Sequence, residues 1–194
     1  MLGWLARYAR PILLLDSSLL LGGVLLTSLN MLLFGWSVYV VGHVLAIVGF
    51  LAIAAVHRDR MDGWSWAALL VLEAGLILAL PQVASIWSSY SQTPTGAVML
   101  LPADTAPIGR LAEAVMWIGL AFYGLAARAR ALPTGVGWLF VAAAVIGLLA
   151  EFVDVWFITP FWWVPAMLVM TFGLVAAGAS VSTVAQRSTV DVTA

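Results

Sequence analysis

Long apolar runs alternate along the chain with short polar breaks. Six runs stand out, at about 12–34, 37–56, 65–87, 107–127, 135–157 and 160–182. A helix needs about 20 mainly apolar residues to cross the hydrocarbon core of a bilayer. The pattern therefore predicts an all-α integral membrane bundle of six transmembrane helices, in a single domain. The breaks read as turns: GWS at 35–37, HRDRMDG at 57–63, RARALPTG at 128–135 and ITP at 158–160. One break is longer. The connector 88–106 carries an apolar middle, AVMLLP, which suits either a lid folded onto the bundle or an interfacial helix. Residues 1–11 are expected to form an interfacial segment, with Trp4 and Tyr8 at headgroup level, and 183–194 a polar tail.

Composition narrows the class further. The chain is 64% hydrophobic and 9% charged, with mean hydropathy +1.09, whereas soluble domains carry about 25% charged residues. A net charge of −1 gives no basic surface for nucleic acid. With no Cys there are no disulfides, thiolate metal sites, iron–sulfur clusters or Cys nucleophile. All eight basic residues are Arg, and they decide the expected orientation. With both termini cytoplasmic, Arg7, Arg10, Arg58, Arg60, Arg128, Arg130 and Arg187 all fall inside. The expected location is the cell's inner (cytoplasmic) membrane. Arg110, near the outer end of the fourth run, is the exception.

The polar residues within the runs supply candidate chemistry. On a helical wheel of the fifth run, Glu151 and Asp154 share a sector with Ala143, Gly147 and Ala150, opposite Val145, Leu149, Phe152 and Trp156. Small residues favour close helix contact in membranes, so the two acids should point into the bundle. Arg110, Glu113, Trp117, Ala121 and Gly124 form a similar stripe on the fourth run. The topology brings these groups to one depth with Tyr39, His43, Asn30 and Gln82. The expected site is thus a polar cluster in the outer half: His43, Arg110, Glu113, Glu151 and Asp154, with Asn30 and Gln82 nearby. Arg110 would be the counter-ion. The alternative is that these side chains snorkel to the interface, with Arg110 and Glu113 a simple i,i+3 pair. Glu73 lies too deep to snorkel and reads as a proton or ion relay. Asp16, beside Ser17 and Ser18, reads as structural.

Known chemistries fit poorly. His43 and His57 are 14 residues apart, about 21 Å along a helix, a spacing that resembles two haem ligands in a b-type cytochrome. No other His exists to complete a pair, and His57 in an Arg-rich loop should be solvated, so no cofactor is expected. His43 with the acids lacks any metal-binding motif. Three function classes remain. The first is transport or small-ligand binding through the outer cluster. The second is an intramembrane enzyme acting on a lipid-soluble, isoprenoid-like substrate, with acids to protonate it and Trp faces to stabilise cations. The third is an accessory subunit of a larger membrane complex. Expected partners are the lipid bilayer and either a second copy or such a complex. The stretch RARALPTGVGWLFVAAAVIGLLAEF resembles a pattern in uncharacterised small bacterial polytopic membrane proteins: a basic loop, Leu-Pro, then Gly-Trp opening a Gly/Ala-rich helix. The resemblance covers one loop and one helix, implies a multi-pass protein and carries no activity.

Overall fold

The computed structural model describes residues 2–28, 32–92, 106–153 and 163–190. Among them lie six α-helices and no strand: α1 (Leu2–Ser28), α2 (Leu32–Val56), α3 (Gly63–Gln92), α4 (Ala106–Ala127), α5 (Thr134–Val153) and α6 (Trp163–Val190). A backbone in hydrocarbon must satisfy its own hydrogen bonds, and a helix does so within one segment. Five helices are long and apolar enough to cross a membrane; the apolar part of α5, Thr134–Ala150, is shorter.

Several helices outrun the apolar runs that announced them. α1 begins at Leu2, so residues 2–11 continue the first helix through Pro11. A proline there removes one N–H and frees the Arg7 carbonyl, close enough to the helix end for water to satisfy it. α3 runs on to Gln92, into the expected connector, and α6 to Val190, into the expected tail. No Gly or Pro interrupts either extension, and hydropathy marks where a helix leaves the bilayer, not where it stops.

Each helix packs against the next in the chain, and α6 returns to α1. Glycines set the closest approaches. Gly35, Gly42 and Gly49 recur every seventh residue on α2 and lie against Thr27, Leu20 and Leu13 of α1. A methyl at Gly42 would sit 2.9 Å from the Leu20 nitrogen, closer than atoms approach. Between α3 and α4 the relation is reciprocal: Gly75 meets the Met116 backbone and Gly119 meets that of Leu72. Small residues that let backbones touch are the main device for helix association where lipid is as apolar as the side chains.

The interior is closed by aromatics. Phe50 of α2, Tyr123 of α4 and Phe140 of α5 are fully buried and mutually in contact, with ring centroids 5.9, 5.5 and 6.3 Å apart. On the described part of α5, Ala143, Gly147 and Ala150 are buried, while Val145 and Leu149 are exposed; the side chains of Glu151 and Phe152, and Asp154 and Trp156 altogether, lie outside the described part. The ends near this triad carry tight turns. Asp62 caps α3, its Oδ1 accepting from the Ser65 N–H at 2.9 Å and the Ser65 hydroxyl at 2.8 Å. The α4–α5 turn tightens through the Ala127 carbonyl, which accepts from Ala131 and Leu132 at 2.8 Å each.

Candidate functional site

The helix pairing sets depth. On α1, Leu20 lies opposite Gly42 and Leu13 opposite Gly49, so Asp16 stands level with Ala46 of α2. On α3, the Leu76 carbonyl meets His43, so Glu73, one turn away, reaches the same level. Ala46 is about 15 Å along the axis from the end of α2 at Val56, half of a core of about 30 Å. Two carboxyls thus stand near mid-depth on the two flanks of α2.

Glu73 is buried at 7% exposure, and neither carboxyl oxygen has a hydrogen-bond partner among the described residues. The Tyr123 hydroxyl is within electrostatic reach of it and is likewise buried without a hydrogen-bond partner among the described residues. Tyr123 belongs to the aromatic triad, which lies between the level of Glu73 and the two tight turns. Sequence reading missed Tyr123 because an aromatic on an apolar helix carries no polar signal of its own. Asp16, read from the sequence as structural, is fully buried. Its exposure is zero, and both oxygens lack partners among the described residues. Ser17 and Ser18 do not help it, because each donates its hydroxyl to a carbonyl of its own helix, Leu13 and Leu14.

Nearer the other end of α2 lies the described part of the expected outer cluster. His43 is buried, with Nε2 3.0 Å from the Leu76 carbonyl. A carbonyl only accepts, so Nε2 carries the proton and Nδ1 is left as an acceptor. The Tyr39 ring is 6.0 Å from the His43 ring, and its hydroxyl contacts Met167 Sδ on α6 at 3.9 Å. Glu113 of α4 is half-buried and acts electrostatically on Tyr39. His43, Tyr39 and Glu113 therefore share one neighbourhood contributed by α2 and α4.

The other predicted members are placed differently. Gln82 rests on Gly109 of α4, its Oε1 buried without a partner among the described residues. Arg110, next to Gly109, is exposed on the helix surface. Glu151 is on the last turn of α5, with its side chain outside the described part. Asn30 and Asp154 lie outside the described residues.

The turn end holds the remaining ionisable groups. His57 is buried at 3% exposure, which corrects the expectation of a solvated loop histidine. The chain folds back at once through a 3-10 turn, Arg58–Arg60. Burial, and then the neighbouring Arg60, lower the pKa of His57 from its ordinary value. Asp62 is held below the ordinary carboxylate value first by the Ser65 N–H and then by its hydroxyl, with Arg130 adding to the effect. The α2–α3 and α4–α5 turns thus share one end of the bundle. There the Arg128 guanidinium lies 4.2 Å over the exposed Trp138 ring.

Among the described residues no three of His, Cys, Asp and Glu gather as metal ligands. No protein-family model matches the chain, and no curated protein or solved structure matches it significantly.

Proposed function

We propose that this is a small polytopic membrane protein that binds or transports a small ligand, with a proton-carrying carboxyl at its centre. The ligand enters from the side of His43, Tyr39 and Glu113, with Arg110, Gln82, Asn30, Glu151 and Asp154 at the mouth. Glu73 is the deeper station. The proposed topology has six crossings, both termini in the cytoplasm, and the cytoplasmic membrane as its location. One observation carries the reading: Glu73 sits near mid-depth with both carboxyl oxygens unpartnered among the described residues. Burying an ionisable group in a membrane core is costly, and such groups line substrate, ion or proton paths by default. The Phe50–Tyr123–Phe140 triad supports a state closed on the cytoplasmic side, since three fully buried rings pack together between the levels of Glu73 and the turns. The alternatives are an intramembrane enzyme on an isoprenoid-like substrate and an accessory subunit.

The test uses purified protein in sealed vesicles containing a pH-sensitive dye. An imposed pH gradient should drive proton flux in the wild type. Glu73→Gln should cut it roughly tenfold or more, because an amide holds no exchangeable acid proton. Its elution profile and melting temperature should stay near wild type. Wild-type vesicles no leakier than protein-free ones, or a Glu73→Gln variant with full flux, would overturn the reading. Turnover of an added isoprenoid alcohol or diphosphate would establish the enzyme instead.

A further inference from the structure

Asp16 has no part in the reading above, and its surroundings ask for a ligand of their own. The side chain lies in the seam between α1 and α2. Its Oδ2 rests against the backbone of Gly49, where an added Cβ would stand 2.8 Å away. Glycine at 49, the third of the every-seventh set on α2, makes the notch that admits the carboxyl. Around this notch Leu13 and Leu20 of α1 and Ala46 of α2 are all buried.

Among the described residues no fixed counter-charge is in place. On α1 the charged groups are Arg7 and Arg10, about 9 Å or more along the axis toward the helix start. On α2 the titratable side chains are Tyr39 and His43, and His43 sends Nε2 to Leu76 on α3. On α6, which also packs on α1, Arg187 is the one ionisable residue, and it stands beyond the apolar span Val164–Val181. The α2 N–H groups beside Oδ2 are committed to their own helix. A metal cation would need several oxygen ligands. Here Ser17 is turned to Leu13, and no cluster of acidic or His ligands forms among the described residues. The proton is the one cation that needs no further ligand.

We propose that Asp16 is a proton-binding site in the α1–α2 seam, separate from Glu73, and that it holds its proton while the seam is closed. The consequence is mechanical. Release of that proton would leave a bare carboxylate against apolar side chains and helix backbone, which favours parting of α1 and α2 at Gly49. Proton exchange at Asp16 and opening of the seam are therefore one event.

Infrared spectroscopy of the full-length protein in lipid tests this directly. Wild-type protein grown with aspartate carrying ¹³C in its side-chain carboxyl should show a protonated carboxylic C=O band that shifts with the label at neutral pH. Asp16→Asn should remove that band, and Glu73→Gln should leave it. Gly49→Ala, which crowds Oδ2, should shift its frequency. Absence of any label-sensitive carboxylic acid band in the wild type overturns the proposal without recourse to a variant. So does a band that survives Asp16→Asn. Neither result bears on Glu73, whose carboxyl the labelled aspartate does not mark, so the vesicle experiment stands or falls separately.

Discussion

At His57 two effects act in the same direction. Burial and the Arg60 charge both disfavour the imidazolium in the folded protein. As pH falls, the unfolded chain takes up its proton near the ordinary value of 6.5, before the folded protein does. Stability therefore rises with pH across the window from the lowered folded value up to about 6.5 and falls on acidification through it. Melting temperatures in detergent should show this slope, and His57→Gln should flatten it. Asp62 works lower on the scale. Its folded value lies below 3.8, so its contribution is complete above 3.8 and is lost as pH falls from there through the folded value. Asp62→Ala should lower the melting temperature at neutral pH and remove this lower acid-dependent step. Tyr123→Phe deletes a hydroxyl with no partner among the described residues, so stability should stay within about 1 kcal/mol of wild type. Any effect on proton flux would then belong to function. The sequence marked Glu73, His43 and Glu113 because polar letters in an apolar run are conspicuous. It undervalued Asp16 because adjacent serines looked like partners, and their hydroxyls turn back to their own helix.

Helices meet here through glycine, and that can be checked one seam at a time. Gly42→Leu would drive a side chain into the Leu20 backbone and should cost about 1–3 kcal/mol or more as an overpacking change. Gly63→Leu, at a position with nothing within 4 Å, should be nearly neutral and serves as the control. Thermal denaturation of both variants in one detergent gives the comparison. The every-seventh spacing of Gly35, Gly42 and Gly49 was there to be read in the sequence. Its partner was not, since a glycine stripe says that some backbone comes close without saying which. Helix ends were also only partly legible. Hydropathy falls off toward the C-terminal ends of α3 and α6, yet both helices continue, because a polar stretch with no Gly or Pro can keep helical hydrogen bonds.

For the whole molecule, the absence of Cys offers a clean test of sidedness. Single cysteines at Arg60 and at Thr95 should report opposite sides. A membrane-impermeant maleimide should label Thr95→Cys on intact cells and Arg60→Cys only after lysis. Labelling in the reverse order would invert the topology and place the aromatic triad toward the outside. The apolar runs, the Arg bias and the lack of Cys and Lys belong to the sequence alone, because bilayer thickness and backbone hydrogen bonding act on each segment separately. They determined an all-helical, membrane-type chain and pointed to buried acids. Tertiary packing decided which of those acids keep company. It brought Glu73 to Tyr123 and the His43 ring to Leu76 and Tyr39, set Asp16 into a notch at Gly49, and left Arg110 exposed. Those outcomes depend on how neighbouring helices are rotated and how closely they approach. Contacts between residues far apart in the chain fix both, and no single segment encodes them.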